Sequence, residues 1–424
     1  MKVLVIGGGG REHALCWKIS QSPLVGRVYC APGNAGISKN AECIDIKPMD
    51  IESLVRFSKA EEIDITIVGP EQPLAQGIVD KYNAEKLRVF GPSKGAAVIE
   101  SSKVFSKHLM RKYSIPTPFF STFSNFGEAV NWVKEVKPPL VVKADGLAGG
   151  KGVVVCKTED EVIDTLDSIM RGRIFGEAGG SVVIEEFIEG EEVSFFVFTD
   201  GDTVIPLEPS QDHKALLDDD KGPNTGGMGA YSPAPLITEE LHDKIMDRIM
   251  IPTIRALNEE GRRYKGVLYA GLMIKDLEPT VLEFNCRFGD PETQPLLMRM
   301  KSDIVPIINA VVDEDLNGYR IEWKPESSVC VVMVSKGYPG DYKTGIELHG
   351  LEAVEDLDNV VLFHAGTTVM DGKIVSNGGR ILGVTAIGNT ISESRDLAYK
   401  AVRMMDDEDI YYRTDIGKKA LHYA

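Results

Sequence analysis

The chain has 424 residues, enough for roughly two to four domains with large apolar cores, and its 43% hydrophobic and 26% charged residues are the balance of an ordinary globular protein. Its formal charge of −17 sets a mean field that repels nucleic acid and anionic membrane, so an anionic ligand must meet a local cluster of Lys, Arg and backbone N–H groups. Six cysteines without a CxxC pair fit reduced thiols in the cytoplasm, and no apolar run reaches membrane-spanning length.

Residues 2–6 are a continuous apolar run, read as a buried first strand and too short for a signal peptide, followed by Gly7, Gly8, Gly9 and Gly10 and a helical pattern from Ala14. A strand, a glycine turn and a helix N-terminus can hold an anion, because unpaired N–H groups and the helix dipole point at it. Gly9 and Gly10 are therefore candidates for the phosphate of a small ligand, against the alternative of a turn needed only for packing. The dinucleotide fingerprint is not satisfied: the third glycine position is Glu12 counted from Gly7 and His13 counted from Gly8. The second strand, 27–30, runs into Ala31, Pro32, Gly33 and Asn34 without an acid to hold a ribose hydroxyl. Strands over 63–68 and 88–90, with a helix over 74–82 between them, continue a Rossmann-like alternation. Asn34 and Glu71 then fall at strand ends, where open α/β sheets hold ligands, although a lone Glu71 is more often a capping or solvated carboxylate.

A helix over 94–113 is expected to stop before Pro116 and Pro118. Strands at 140–145 and 153–155 flank a loop containing Gly146, Gly149, Gly150 and Gly152, a flap whose amides can close over phosphates. It is not a Walker A loop, since the GxxxxGK[ST] spacing and the following helix are missing. Lys143 on the strand entering the flap, with Lys103, can reach a phosphate oxygen as a point charge; a lone strand lysine is otherwise a surface residue. The strand 181–188 ends in Glu185 and Glu186, and its backbone could pair with an adenine edge, with solvated hairpin acids as the alternative. Residues 209–229 form a long polar, glycine-rich loop containing Asp212, His213, Lys214, Asn224, Gly226 and Gly227, the kind of segment where substrate contacts concentrate. His213 is as readily a structural histidine as an acid or base.

Helical sequence over 238–260 and a strand over 266–275 lead to 281–285, where period-two alternation puts Glu283 and Asn285 on one face and Arg287 beyond them. A carboxylate and an amide oxygen suit Mg²⁺ bridging phosphates, and an adjacent arginine can neutralise a transferring phosphoryl group; a structural ion pair on an exposed strand face is the competing reading. Pro291 fits the first turn of a helix through Met298. From about Glu326 the sequence turns β-rich, with strands at 328–335, 360–365, 367–370 and 380–387, a hairpin signal at Asp371 and Gly372, and a helix over 391–405.

VIGGGGREHA, APGNAG, KADGLAGGKG, VVIEEF, SQDHK, GPNTGGMGAYSP and LEFNCRFGDPETQ occur in that order, followed by GYPGDY and FHAGT. Together they closely resemble the glycinamide ribonucleotide synthetase (phosphoribosylamine–glycine ligase) family of the ATP-grasp superfamily, across essentially the whole chain. The resemblance implies an α/β and α+β multidomain protein: a Rossmann-like domain over 1–102, an ATP-grasp core of two lobes over 103–325 with a flap subdomain at about 124–188, and a β-rich domain over 326–424. It implies ATP between the lobes, its phosphates at Lys103, Lys143 and the flap glycines, its adenine facing Glu185, Glu186, Phe187 and Ile188, and its ribose near Glu192. Glu283 and Asn285 would hold Mg²⁺ (or Mn²⁺). Arg287, Lys143 and Asp212 form the expected catalytic set, Arg287 over an acyl phosphate and Asp212 on the glycine ammonium. Gly9, Gly10, Asn34, Glu71, Lys214, Asn224, Gly226 and Gly227 complete the expected substrate contacts. Residues 269–274 carry no carboxylate, a departure from the metal set common in the superfamily. The implied reaction joins glycine to 5-phosphoribosylamine with ATP, in a cytoplasmic monomer or at most a weak dimer with no nucleic-acid or membrane partner. A different ATP-grasp ligase would differ around 209–230, and a non-enzymatic nucleotide sensor could dispense with Glu283, Asn285 and Arg287.

Overall fold

The computed structural model describes residues 1–148, 152–405 and 407–423. The first five strands form a parallel sheet in the order Glu42–Cys43, Arg27–Pro32, Lys2–Gly7, Ile65–Val68, Val89–Phe90. Lys2–Gly7 is an unbroken apolar run because both its faces are covered: Leu4 and Ile6 enter one core, Val3 and Val5 another. Two expected helices are interrupted. Gly77, at φ +94°, separates Glu71–Gln76 from Ile78–Ala84. Ser102 is extended and its hydroxyl accepts from the Phe105 N–H, so it ends Lys94–Ser101 and caps Lys103–Lys112. That cap puts Lys103 at the start of the second helix.

The middle of the chain builds two antiparallel sheets. A small lobe orders its strands Phe120–Phe123, Val182–Glu186, Leu140–Ala144, Val153–Cys156, and its own core is closed by the helices Phe126–Val136 and Glu159–Leu166. The other sheet runs Val204–Pro206, Glu191–Thr199, Gly266–Lys275, Glu278–Asn285. Its central strand joins the N-terminal cores from both faces: Val193, Phe195 and Val197 pack with Leu4 and Ile6, while Phe196 and Phe198 pack with Val3 and Val5. The sheet that carries Glu283 is thereby fixed against the N-terminal domain.

A third sheet orders Gln211–Asp212, Gly229–Ser232, Ser327–Ser335, Arg380–Gly388 and Val360–His364, with Ile410–Tyr411 paired beside Ser327–Ser335. Its first two strands come from the polar loop of the middle region, so Asp212 is held by backbone pairing with Ala230. The expected hairpin joins Thr367–Met370 to Lys373–Ser376, with Asp371 and Gly372 at φ +51° and +77°. Pro291 departs from expectation: it follows Asp290 in a cis peptide, and the helix begins after it, at Thr293–Arg299. Among the described residues no helix is long and apolar enough to cross a membrane.

Phe198 is fully buried and meets Phe90 and Phe288 edge-on, at ring-centroid distances of 6.2 and 5.8 Å. Phe198→Ala should lower stability by about 3–5 kcal/mol through lost burial and the cavity left behind, read as a lower midpoint in chemical denaturation.

Candidate active site

Strand Glu278–Asn285 is bulged at Leu282, and beyond the bulge Glu283 and Asn285, two residues apart, share one face as expected. The Lys143 ammonium donates to the Leu282 carbonyl at 3.0 Å, so the strand entering the glycine flap lies directly against this strand. Lys103 donates to the Gly146 carbonyl at 3.3 Å, and Asp145 accepts from both the Ser102 hydroxyl and the Val104 N–H, lacing the helix start to the flap. Gly146 is needed for close approach, since a Cβ there would fall 2.7 Å from that of Ala178; at Gly152 it would fall 2.6 Å from that of Ala148. Gly149 and Gly150 lie outside the described residues.

Four cations act on Glu283. Burial opposes its charge, but Lys214, at 3.8 Å, together with Lys103, Lys143 and Arg287 outweighs that and holds its pKa at about 2. Asn285 presents its amide oxygen beside it, with Arg287 Nη2 3.4 Å away. Among the described residues no three His, Cys, Asp or Glu side chains gather as a metal cage. An ionised carboxylate and an amide oxygen on one face nevertheless fit a hard cation that takes its remaining ligands from phosphate and water.

Arg287 is braced by two acids. Its Nε lies 3.3 Å from Glu71 and its Nη2 3.2 Å from Glu100. Glu100 also accepts from the Cys286 N–H at 2.7 Å. Glu71, expected at a substrate, is thus a counter-ion; burial opposes its charge, but Arg287 and Arg11 keep its pKa below the usual value. Burial, reinforced by Glu71, pushes Glu100 upward against the pull of Arg287. Sequence reasoning missed Glu100, whose only signal was a single acid following the apolar run 96–99.

Several expected contacts are spent inside the protein. Glu185 does not present its carboxylate to a base: it is 1% exposed and ion-paired with both Lys143 and Lys107, another residue the motifs did not single out. The strand end beyond it is open, with Glu186 and Phe187 exposed and Ile188 half-buried. Glu192 pairs with Lys214, which fixes that lysine beside Glu283. Asn34 makes all four hydrogen bonds an amide allows, donating to the Gly8 and His364 carbonyls and accepting from the Gly36 and Ile37 N–H groups. Its side chain pins a loop and has none left for a substrate. Gly226 donates to the Tyr338 hydroxyl and accepts from Arg380; Gly227, at φ +107°, packs where a Cβ would fall 2.4 Å from Pro291 Cδ. Both glycines serve close packing, and Asn224 is exposed on a two-stranded ribbon.

The glycine turn is lined by acid. The Gly9 N–H donates to the buried Glu12 carboxylate at 2.7 Å, and Cβ atoms built at Gly9 and Gly10 would lie 3.5 and 3.4 Å from Asp290 oxygens. Glu12 is paired with Arg11 at 2.6 Å and Asp290 with Arg380 at 2.9 Å, so a ligand on this turn would meet carboxylates already matched by arginines. Asp212 is half-buried, and burial followed by the charge of Glu292 raises its pKa well above the usual value. Glu292, also missed in the sequence, is held by the Ser194 hydroxyl at 3.0 Å, which in turn meets the Tyr269 hydroxyl at 2.9 Å. His213 is buried beside Tyr231 with its pKa lowered to about 4, first by burial and then by Arg413, which fits its structural reading.

Residues 1–100, 101–293 and 328–419 match the family models described as the N domain, the ATP-grasp (A) domain and the C domain of phosphoribosylglycinamide synthetase. The chain is similar to the phosphoribosylamine–glycine ligase of Caldanaerobacter subterraneus subsp. tengcongensis, with 49% identity over 417 residues covering 98% of this chain and 99% of that protein. Its similarity to the Escherichia coli K12 phosphoribosylamine–glycine ligase is also 49%, over 425 residues and 99% of each. The crystal structure of the Thermotoga maritima phosphoribosylamine–glycine ligase matches with a TM-score of 0.86 at 31% identity, covering 98% of this chain and all of that one. The biotin carboxylase domain of Hydrogenobacter thermophilus 2-oxoglutarate carboxylase shares the fold at a TM-score of 0.75 and 17% identity, covering 100% of this chain and 98% of that one.

The low pKa of Glu283 makes its contribution to stability complete above its unfolded value near 4.5 and lost as the pH falls towards 2. In ¹³C-glutamate NMR its carboxyl should titrate near pH 2, and Lys214→Ala should move that midpoint upward.

Proposed function

The chain belongs to the phosphoribosylglycinamide synthetase family throughout its N, ATP-grasp and C domains, a carbon–nitrogen ligase that makes glycinamide ribonucleotide with ATP in purine biosynthesis, and on that premise we propose how its residues do so. Glycine's carboxylate is a poor electrophile. The γ-phosphoryl of ATP is first transferred to a carboxylate oxygen, breaking the bond to the β-phosphate oxygen and releasing ADP. The amine of 5-phosphoribosylamine then attacks glycyl phosphate at carbon, and phosphate leaves with the carboxylate oxygen while the amine loses a proton. Both steps depend on alignment and charge neutralisation more than on a protein nucleophile.

The observation that carries this reading is the meeting of the flap lobe with the Glu283 strand, where Lys143 bonds the Leu282 carbonyl at 3.0 Å and Lys214 lies 3.8 Å from Glu283, with Lys103 and Arg287 adding positive charge nearby. Lys103 and Lys143 approach the triphosphate from the flap side. Arg287, held by Glu71 and Glu100, stays fully charged and faces the transferring group. The open strand end at Glu186, Phe187 and Ile188 offers backbone groups to adenine. Glu283 and Asn285 would hold Mg²⁺, or Mn²⁺ in its place. Such an ion, when bound, neutralises charge on the phosphates. Asp212 receives the glycine ammonium, whose charge restores the ionised form that burial and Glu292 disfavour. The acidic glycine turn, with Asp290, suits the sugar hydroxyls of phosphoribosylamine better than its phosphate. Six free thiols and a negative net charge fit a cytoplasmic protein acting on small molecules, without nucleic-acid or membrane partners.

The test measures ADP and phosphate release with glycine, with and without phosphoribosylamine generated from ribose 5-phosphate and ammonia. Sustained turnover should require both substrates, and with glycine labelled with ¹⁸O in its carboxylate one ¹⁸O should appear in the released phosphate; phosphate free of ¹⁸O would rule out the acyl phosphate. Asp212→Ala should raise the KM for glycine by about tenfold or more and that for ATP far less, the effect of losing a charge-assisted hydrogen bond. Equal increases would refute the assignment of Asp212.

A further inference from the structure

Lys107 lies outside the ATP-contacting set, yet it is among the most deeply buried side chains of the protein, 2% exposed. It sits one turn along from Lys103 on the helix Lys103–Lys112, facing inward. Its ammonium pairs with one oxygen of Glu185, and the other oxygen of Glu185 pairs with Lys143. Lys107 also donates to the Thr117 hydroxyl at 2.7 Å, and that hydroxyl donates to the Val281 carbonyl at 3.0 Å. Lys143 donates to the neighbouring Leu282 carbonyl. Three elements are thus joined around one carboxylate: the helix start, the flap lobe and the strand that carries Glu283.

We propose that Lys107 is a positioning residue for Lys143, acting through the Glu185 carboxylate that the two ammonium groups share. The inference rests on the reading above that Lys143 meets the triphosphate. Two ammonium groups and one carboxylate leave a net charge of +1 on the cluster. Without Lys107 the remaining pair is neutral, and Glu185 competes undivided with the nucleotide for Lys143. With Lys107 in place one oxygen of Glu185 is committed elsewhere, so Lys143 is anchored by a shared partner and a backbone carbonyl and, among the described residues, has a third N–H for a phosphate oxygen. Stability alone gives little reason for such an arrangement, since a buried ion cluster is commonly no more stable than well-packed apolar side chains of the same volume.

The experiment compares the full-length wild type with Lys107→Met, Lys143→Met and the double variant Lys107→Met with Glu185→Gln, each checked for folding by thermal denaturation. Lys107→Met should raise the KM for ATP and the calorimetric Kd for MgADP by about tenfold, while the KM values for glycine and phosphoribosylamine stay unchanged. The double variant removes one charge of each sign and restores +1 at Lys143, so it should recover most of the lost nucleotide affinity; a purely structural role would make it as weak as the single variant or weaker. Thr117→Val, a milder change that loosens Lys107 without removing it, should raise the KM for ATP in the same direction by less and covers the case in which Lys107→Met does not fold. An unchanged nucleotide affinity in folded Lys107→Met, an equal rise for all three substrates, or no recovery in the double variant overturns the proposal. Lys143→Met separates the two levels of inference: if it raises the KM for ATP and Lys107→Met does not, only the positioning role falls; if it leaves the KM for ATP unchanged, the reading of the site falls and the positioning role with it.

Discussion

A carboxylate among four cations, three of them paired with acids of their own, is the constraint on which the rest of the site depends. Glu283 stays ionised because Lys214, Lys103, Lys143 and Arg287 outweigh the cost of its burial. Those cations would repel one another if unbalanced. Lys143 leans on Glu185, Lys214 on Glu192, and Arg287 on Glu71 and Glu100. The cleft is therefore a preorganised lattice of alternating charge, ready for a polyanion before one arrives. Preorganisation matters here because phosphoryl transfer asks the protein for fixed charges in fixed places.

The fold supplies that fixity by sharing cores. The sheet with Glu283 has no independent apolar interior; its aromatic residues complete the two cores begun by Lys2–Gly7. The C-terminal sheet in turn takes in Gln211–Asp212 and Gly229–Ser232, so Asp212 is presented by a strand and not by a free loop. Arg380 crosses from the same sheet to the Asp290 carboxylate and the Gly226 carbonyl, holding the segment after Arg287 from the opposite side. The flap lobe and the C-terminal sheet, by contrast, each close a core of their own.

Residue identity at a strand end proved a poor guide to whether a polar group is free. Asn34, Glu71, Glu185 and Glu192 all sit where ligands are usually held, and each is engaged by a partner distant in sequence: His364, Arg287, Lys107 with Lys143, and Lys214. The glycine turn is likewise shaped by a distant segment, since Asp290, paired with Arg380, approaches it from nearly three hundred residues away. Glu100, Lys107 and Glu292 escaped notice in the opposite way. They lie in ordinary helical or turn sequence, and their importance comes entirely from what they are buried against.

Whatever depends on periodicity and local sterics was determined by the sequence itself: the strands and most helices, the Rossmann-like alternation of the first hundred residues, and the placing of Glu283 and Asn285 on one face; the collinear motifs marked the family, and the multidomain fold followed from that resemblance. Hydrophobic alternation and glycine spacing act over a few residues, so they survive in a linear reading. The ionisation of Glu283, the engagement of Glu185 and Asn34, and the acidity around Gly9 were decided only by tertiary structure. Each is a sum of charges and desolvation contributed by segments far apart in the chain, and Coulombic interaction depends on distance in space, which sequence order does not encode.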